Sequence, residues 1–268
     1  SCESGVGINY NCGEKKCPDC PPDVLHRISG NVFQDCDNDG VIDAEDKPIA
    51  GAVVVLTGTE IATGAAVSIT AATNSKGFYE FVNLRPGNYS VNEQQPAGFL
   101  DGKDIAGTPF GGTAAAGVGQ DVISQIIIPM SATSKTGVNY NFAEVGANIT
   151  GQIYEDNNDN GVRDLGEALI TVPVTVTLTG TDDTGASITR TIATSTGEYK
   201  FDLLRPGTYK LNATQPVGYN DGKDKVGSPF GGSLQGQDDI VTVNVDGCSS
   251  GIGYDFGEKK VAPAKNSI

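Results

Sequence analysis

One acidic segment organises this sequence, and its first copy reads Asp35-Cys36-Asp37-Asn38-Asp39-Gly40-Val41-Ile42-Asp43-Ala44-Glu45-Asp46. Its second copy reads Asp156-Asn157-Asn158-Asp159-Asn160-Gly161-Val162-Arg163-Asp164-Leu165-Gly166-Glu167. In both copies, oxygen-bearing side chains occupy positions 1, 3, 5, 9 and 12 and glycine occupies position 6, which is the pattern of a twelve-residue calcium loop. Position 7 of such a loop contributes only a backbone carbonyl, so a valine is acceptable there. The sequence therefore predicts two calcium sites.

The predicted calcium ligands are the residues at positions 1, 3, 5, 7, 9 and 12 of each loop. They are Asp35, Asp37, Asp39, Val41, Asp43 and Asp46 in the first loop, and Asp156, Asn158, Asn160, Val162, Asp164 and Glu167 in the second. The alternative is a pair of solvated Asp/Asn/Gly turns that bind no metal, but repetition of the whole pattern favours calcium. The first loop carries more carboxylates and is expected to bind more tightly at equal rigidity, although Asp46 is shorter than Glu167 at position 12.

The composition of the 268-residue chain, with 38% apolar residues and 36 glycines, suits a β-rich soluble protein. Its net charge of -15 makes nucleic acids and anionic membrane surfaces poor partners and divalent cations good ones. Without cations, like charges would crowd each loop, so we expect the metal-free protein to be loosened there. No apolar run is long enough for membrane insertion, and no signal-like segment follows Ser1, so we expect a mature chain or a fragment.

The six cysteines, an even number, favour disulfides formed outside the cytosol. The candidates are Cys2, Cys12, Cys17, Cys20, Cys36 and Cys248. Zinc is the alternative for the four that lie near the N-terminus, where two of them form a Cys-Pro-Asp-Cys step. Cys36 and Cys248 have no cysteine counterpart in the other copy of the repeat. We expect Cys36 to reach the N-terminal segment, and Cys248 to lie at the far end of the molecule.

The calcium pattern belongs to a longer internal repeat of strands and turns. Its clearest block is Gly-x-Tyr-x-Phe followed by Leu-Arg-Pro-Gly-x-Tyr, at 77–89 and again at 197–209. Pro-Gly suits a tight turn, and aromatic residues at alternate positions indicate core packing rather than a sugar-stacking surface. Each copy contains about seven short strands and no helical pattern. These features predict an all-β fold of two tandem antiparallel β-sandwiches, immunoglobulin-like or transthyretin-like.

The repeat divides the chain into four segments. Residues 1–26 form a Cys-rich extended N-terminal segment, 27–145 the first calcium-binding sandwich, 146–260 the second, and 261–268 a C-terminal tail. The N-terminal segment resembles an orphan closing strand, because its Gly-Ile-Asn-Tyr-Asn at 7–11 matches Gly-Val-Asn-Tyr-Asn at 137–141. The joint at 145–148 is so short that the two sandwiches are expected to behave as one stiff unit.

Taken together, these motifs resemble the B-type repeats of bacterial serine-aspartate repeat surface adhesins, within the wider collagen-adhesin B-type group. The motifs are the strand-flanked acidic loop, Gly-x-Tyr-x-Phe, Leu-x-Pro-Gly-x-Tyr, Pro-x-Gly-Phe/Tyr and a closing Tyr-x-Phe-x-Glu. They extend over nearly the whole chain from Ile28 to Glu258. The resemblance implies calcium-stiffened sandwiches that serve as stalks in secreted or cell-surface proteins.

A second acidic motif, Asp-Gly-Lys-Asp, occurs once in each repeat. It offers a possible second cation site at Asp101 and Asp104, and at Asp221 and Asp224. The alternative, which we favour, is an Asx-type turn held by its own backbone bonds. Nothing in the sequence supports catalysis: the only histidine is His26, beside a proline-rich connector, and the clustered carboxylates are assigned to the loops. We therefore expect no enzyme.

These observations predict a secreted or cell-surface structural protein, either a calcium-rigidified stalk or the repeating subunit of an extracellular filament. Filament subunits would associate head to tail, the N-terminal segment of one molecule adding a strand to the second sandwich of its neighbour and bringing an N-terminal cysteine to Cys248. The first alternative is an adhesin module that binds a protein or glycan ligand through its loops. The second is an accessory domain of a large exoenzyme.

Overall fold

The computed structural model describes residues 24–115 and 120–262, and within these ranges it contains strands and no helix. The chain folds into two β-sandwiches in tandem, so the predicted fold class is confirmed. The four N-terminal cysteines, with the alternatives of disulfides or zinc, lie outside the described residues.

Within the described residues, the first repeat contains eleven strands and the second contains ten. The first consists of β1 (His26–Gln34), β2 (Lys47–Pro48), β3 (Val53–Glu60), β4 (Ala66–Ala72), β5 (Phe78–Leu84), β6 (Gly87–Gln94), β7 (Leu100–Asp101), β8 (Thr113–Ala114), β9 (Val122–Ile128), β10 (Thr136–Gly137) and β11 (Phe142–Val145). The second consists of β12 (Ala147–Glu155), β13 (Val174–Asp182), β14 (Ser187–Thr194), β15 (Glu198–Leu204), β16 (Gly207–Ala213), β17 (Tyr219–Asp221), β18 (Ser233–Leu234), β19 (Asp239–Val245), β20 (Ser250–Gly251) and β21 (Phe256–Lys260). The count exceeds the predicted seven because the long loops contain two-residue strands.

Each sandwich consists of two facing sheets. In the first repeat, one sheet has the order β4-β3-β6-β9-β8, and the other contains β5, β1, β10, β11 and β7. The second repeat repeats this plan, with β14-β13-β16-β19-β18 facing a sheet built around β12. The first and last strands of each repeat pair in parallel, β1 with β11 and β12 with β21, while the remaining long pairs are antiparallel. The end of each first strand, where the predicted calcium loop begins, is thereby fixed beside the closing strand.

The core lies between the two sheets and is filled by alternate residues of the strands. Along β6 the buried positions alternate with more exposed ones, as expected for a strand with one face in the core. The aromatic residues Tyr79, Phe81 and Tyr89 are each no more than 2% exposed, which places them in the core rather than on a binding surface. Gly151 on β12 is required by close packing, because a Cβ there would lie 1.8 Å from the Tyr254 carbonyl oxygen.

The joint between the repeats is a single residue, Gly146, between β11 and β12. Its amide donates to the Gly247 carbonyl oxygen at 2.7 Å, and the Gly247 amide donates to the Cys36 carbonyl oxygen at 2.6 Å. Gln34 Nε2 donates to the carbonyl oxygens of Gly247 at 3.2 Å and Gly146 at 3.3 Å. The second repeat is therefore held against the first by more than its covalent connection.

The disulfide in this region differs from the expected one. Cys36 is bonded to Cys248 of the same chain, with their Cα atoms 4.8 Å apart. The expectation that Cys36 pairs with the N-terminal segment, and that Cys248 serves a neighbouring molecule, is therefore wrong. The segment that carries Cys248 connects β19 to β20 and returns to the start of the second sandwich, next to the first predicted calcium loop. Closeness to the C-terminus in sequence was a poor guide to its place in the fold.

Candidate metal centre

The first predicted loop follows directly on β1 and is organised by its first residue, Asp35, which is fully buried. Asp35 Oδ1 accepts a hydrogen bond from the Asn38 amide at 2.7 Å, and Oδ2 accepts one from the Gly40 amide at 2.7 Å. Gly40 has φ of +84°, the left-handed conformation that glycine adopts at no steric cost. The chain therefore turns sharply at position 6, as the sequence predicts.

Three carboxylates of the first loop converge. Asp35, Asp37 and Asp39 each offer an oxygen, and these atoms lie within 4.8 Å of one another. Burial, together with the nearby charge of Asp46, raises the pKa of Asp35 to about 6. A hard cation held by oxygen ligands would remove this repulsion, so positions 1, 3 and 5 fit calcium.

The second loop brings its corresponding side chains together in the same way. Asp156 is fully buried and accepts hydrogen bonds from the amides of Gly161 at 2.8 Å and Asn160 at 3.1 Å. Asn158 Nδ2 and Asn160 Nδ2 both donate to Asp164 Oδ2 at 2.8 Å. Positions 3 and 5 therefore contact position 9 through their side-chain amides, and the buried carboxylate at position 1 holds the backbone of the turn.

Position 12 accepts hydrogen bonds from the loop backbone, and its role as a calcium ligand stays a prediction. Asp46 accepts hydrogen bonds at 2.9 Å from the amides of Cys36 and Asp43, and in the second loop Glu167 likewise binds the amides at positions 2 and 9 at 2.8 Å. These carboxylates tie the two ends of each loop together. Asp43 is not part of the converging group of the first loop. The side chains of Val41 and Val162 are exposed, and the role of their carbonyls stays a prediction.

A second acidic group lies deeper in the first repeat, and we call it the sheet-bridging cluster. It consists of Glu93, Asp101, Asp104, Asp121 and Glu144. Oxygens of Asp101, Asp104 and Asp121 lie within 4.8 Å of one another, as do oxygens of Glu93, Asp121 and Glu144. Glu93 lies on β6 and Asp121 directly precedes β9 of the same sheet, whereas Asp101 and Glu144 lie on β7 and β11 of the other sheet. The cluster therefore spans the two sheets.

The second repeat has the equivalent cluster with one carboxylate fewer. Asp221, Asp224 and Asp238 have oxygens within 4.8 Å of one another. Glu258, on the closing strand, is fully buried and adds a fourth carboxylate to the group. Ala213 stands where the first repeat has Glu93.

Several oxygens of these clusters are buried without a hydrogen-bond partner among the described residues. In the first repeat they are Glu93 Oε1 and Oε2, Asp104 Oδ2, Asp121 Oδ1 and Glu144 Oε1, and in the second they are Asp221 Oδ1, Asp238 Oδ1 and Glu258 Oε1. A buried carboxylate oxygen without a partner is costly, and a cation removes that cost. Asp104 Oδ1 accepts from the Ala143 amide at 3.2 Å and Asp224 Oδ1 from the Gly257 amide at 3.3 Å, so these bonds reach distant segments, unlike those of an Asx turn.

In both clusters, burial raises the pKa values of the carboxylates. Burial, followed by the charge of Asp101, raises the pKa of Asp104 to about 8. Burial likewise raises the pKa of Glu144 to about 8 and that of Asp224 to about 7. For Glu258, burial and the neighbouring Asp238 raise the pKa to about 8. Without a cation these groups resist ionisation, and their all-oxygen donor set fits calcium.

The sequence offered Asp101, Asp104, Asp221 and Asp224 as a second cation site, with a turn as the favoured alternative, and the other carboxylates in the clusters were not among the predicted ligands. The missed residues are Glu93, Asp121, Glu144, Asp238 and Glu258. The available signal was the glutamate that ends each closing motif, Tyr-x-Phe-x-Glu, because a charged residue on an otherwise apolar closing strand needs a partner.

Residues 26–142 and 147–247 each match the family model described as the SdrD B-like domain. The chain belongs to this family. Its two SdrD B-like repeats are 32% identical over 203 residues to serine-aspartate repeat-containing protein E of Staphylococcus aureus strain MSSA476, a match that covers 74% of this chain and 16% of that protein. Bone sialoprotein-binding protein of strain MRSA252 is 32% identical over 203 residues, with 74% and 16% covered.

Serine-aspartate repeat-containing protein E of strain USA300 is 31% identical over 233 residues, which covers 82% of this chain and 19% of that protein. The chain thus spans less than a fifth of the length of these relatives. Among solved structures, the minor pilin GBS52 of Streptococcus agalactiae is 14% identical, with a TM-score of 0.30 and coverage of 91% and 99%. The shaft pilin SpaA of Lactobacillus rhamnosus GG, as the D295N mutant, is 12% identical, with a TM-score of 0.32 and coverage of 89% and 99%. At these scores the two pilins carry no argument about function.

Membership of the SdrD B-like family confirms the predicted resemblance and places the repeats in an extracellular or cell-surface protein. The repeats are of the structural, adhesin-associated kind. Over residues 24–115 and 120–262, the structure has no helix with the length and apolarity needed to cross a membrane. That the chain is not an enzyme stays a prediction, in keeping with the kind of proteins it matches.

Proposed function

We propose that the two SdrD B-like repeats form a calcium-stiffened stalk segment, in which each repeat binds calcium at its loop and at its sheet-bridging cluster. The observation that carries this proposal is the set of buried carboxylate oxygens, at equivalent positions of both repeats, that find no hydrogen-bond donor within the described part of the chain. Five carboxylates are gathered in the first repeat, and a cation would make the burial of their ionised forms favourable.

The stiffening follows from where the carboxylates are attached. In the first repeat, a cation in the cluster would bind Glu93 on β6 and Glu144 on β11, which belong to opposite sheets. It would therefore hold the two sheets of the sandwich together. A cation in the loop would fix the segment that follows β1, through Asp35, Asp37 and Asp39. Both effects oppose opening of the sandwich under load.

Isothermal titration calorimetry of the chain, stripped of metal, tests the proposal. We expect calcium to bind at one site for each loop and one for each cluster, with magnesium binding more weakly because its small shell demands near-ideal octahedral geometry. The variants Asp104→Asn and Asp224→Asn should each remove one cluster site and leave the loop sites. Absence of calcium binding in the unmodified chain would contradict the proposal.

Head-to-tail association into a filament is a finer proposal, now without a link through Cys248. It is supported by the joint within the chain, in which the start of one sandwich docks against the end of another. Sedimentation velocity in calcium should show association that increases with concentration. A monomer at every concentration would remove the filament and leave the stalk.

A second candidate function is an adhesive module. It is supported by an open cleft of about 760 Å³ on the second repeat, lined by charged residues that include Glu198, Lys200, Lys225 and Asp255. One relative bears the name bone sialoprotein-binding protein, which describes the ligand of that relative. The expected result is saturable binding to an immobilised extracellular-matrix protein that Lys225→Glu abolishes and Lys135→Glu, on the first repeat, does not.

A further inference from the structure

The second repeat contacts the first at two places, and the first place is the start of the first calcium loop. There the Cys36–Cys248 disulfide joins the repeats. The Gly247 amide donates to the Cys36 carbonyl oxygen at 2.6 Å, and Lys47 Nζ donates to the Cys248 carbonyl oxygen at 3.0 Å. The second repeat therefore holds position 2 of the first loop from outside.

The second contact is made by Arg205, in the turn between β15 and β16. Its side chain is 11% exposed and binds the Asp183 carboxylate through Nε at 2.7 Å and Nη2 at 3.1 Å. Arg205 Nη1 donates to the Asp101 carbonyl oxygen at 2.6 Å, and Asn38 Nδ2 donates to Asp183 Oδ2. Because Asp101 belongs to the sheet-bridging cluster and Asn38 to the first loop, this contact also touches both cation-binding elements of the first repeat.

Over the residues that the structure describes, the far end of the second repeat does not offer the same contacts. Asn157 stands at the position equivalent to Cys36. Nearby, Glu155 Oε1 accepts hydrogen bonds from the Tyr219 hydroxyl at 2.7 Å and from Lys260 Nζ at 3.1 Å. These side chains satisfy one another within the repeat. The two-point contact is therefore a property of the joint between the two repeats rather than of every loop.

We propose that calcium binding to the first loop and the Cys36–Cys248 bond at this joint stabilise each other. We call this relation the calcium–disulfide coupling. Both the binding and the bond require the same closed loop. The Cys36 amide donates to Asp46 Oδ1 at 2.9 Å, so a restraint on Cys36 also restrains the two ends of the loop that a cation would close through Asp35 and Asp37. The inference rests on the proposed calcium binding.

Reciprocity makes the inference quantitative. If the disulfide raises the calcium affinity of the first loop by some factor, calcium must favour the disulfide over the dithiol by the same factor, because coupling between two equilibria is mutual. The redox step is an exchange with an added dithiol such as dithiothreitol. The Cys36–Cys248 S–S bond breaks, two protein thiols form, and two electrons and two protons come from the reagent, which becomes its own cyclic disulfide.

The test is the equilibrium reduction of the full chain in dithiothreitol redox buffers, with calcium or with a chelator. Differential alkylation and mass spectrometry of the peptides that contain Cys36 and Cys248 report this bond separately from the N-terminal cysteines. We expect calcium to shift the buffer ratio at half-reduction by at least about fivefold, the lower end of typical coupling. The variant C36S/C248S should lose the same factor in the calcium affinity of one site.

Matched substitutions at position 3 of the two loops give the control. Asp37→Ala removes a ligand of the first loop and Asn158→Ala removes the equivalent ligand of the second. Calcium protection of the disulfide should disappear in the first variant and persist in the second. Equal reduction with and without calcium, in a chain that binds calcium by calorimetry, would overturn the calcium–disulfide coupling and leave the proposed function intact. Equal protection in both variants would also overturn it, whereas a chain that binds no calcium would overturn the proposed function itself.

Discussion

The two loops should depend on a cation to different degrees because of their residues at positions 3 and 5. These are Asp37 and Asp39 in the first loop, and Asn158 and Asn160 in the second. The aspartates add negative charge beside buried Asp35, whereas the asparagine amides donate to Asp164 and hold the second loop together. Since like charges within a few ångströms repel, the first loop should open more readily when calcium is removed.

Glu144 gives a sharp prediction at the residue scale, because its effect on stability should change sign with calcium. Glu144→Gln replaces a buried carboxyl group, whose ionised form is disfavoured without a cation because burial raises its pKa, with a neutral amide, so in chelator we expect the unfolding temperature to stay level or rise. In calcium the same change removes a ligand, and the unfolding temperature should fall. Differential scanning fluorimetry measures both, with the more exposed Glu80→Gln as the control. A loss of equal size in both conditions would argue against a cation in the cluster.

Gly151 gives a prediction about packing. A Cβ at this position would lie 1.8 Å from the Tyr254 carbonyl oxygen and 2.5 Å from the Tyr199 hydroxyl oxygen, so Gly151→Ala must push the closing segment away from β12. We expect a loss of about 3 kcal/mol or more in the free energy of unfolding, measured by urea denaturation. Gly146→Ala, whose Cβ would meet its nearest neighbour at 3.3 Å, should cost clearly less. Similar costs for the two variants would mean that β12 and the segment that carries Tyr254 are not packed as closely as described.

At the scale of elements, the loops could be predicted because all their ligands lie within twelve consecutive residues. The sheet-bridging cluster could not, because Glu93, Asp121 and Glu144 belong to separate segments of the chain that only the sandwich brings together. The parallel pairing of β1 with β11, and the return of the segment with Cys248 to the joint, likewise depend on tertiary topology. Residue patterns specify strands and turns, but not which ends of distant strands meet.

The clusters predict an unusual dependence of stability on pH. Burial raises the pKa of Asp104 to about 8 and that of Asp224 to about 7, above the usual range of aspartate. Between the unfolded and folded pKa values the folded state binds more protons, so the free energy of unfolding falls as pH rises through this window. In chelator, thermal unfolding should therefore occur at a higher temperature at pH 5 than at pH 8.

Calcium should cancel this trend, because it binds the ionised carboxylates and competes with protons. The stabilisation by calcium is therefore expected to grow from pH 5 to pH 8. The same temperature scans in calcium measure it. A metal-free chain that becomes more stable as pH rises from 5 to 8 would contradict the assignment of these buried carboxylates.

At the scale of the whole molecule, Arg205 should control how rigidly the two repeats are held together. Arg205→Ala removes the donor to the Asp101 carbonyl and the partner of Asp183 but keeps the disulfide. We expect small-angle scattering in calcium to show a broader range of inter-repeat arrangements. The control Arg190→Ala removes an exposed pair with Asp202 in the same repeat and should leave the profile unchanged. If both variants scatter like the unmodified chain, the arginine contact is not needed for rigidity.

The net charge of the chain is -15, and much of it is concentrated in the loops and clusters that a cation would neutralise. Calcium should therefore stabilise the whole chain. The most direct measurement is scanning calorimetry of the full chain at pH 7.5, in calcium and in chelator. With calcium at about 100 times its dissociation constant, each site contributes about 2.7 kcal/mol, which for domains of this size raises the unfolding temperature by roughly 10 °C or more. The account predicts that rise for both repeats. An unfolding temperature that is the same in calcium and in chelator would contradict it.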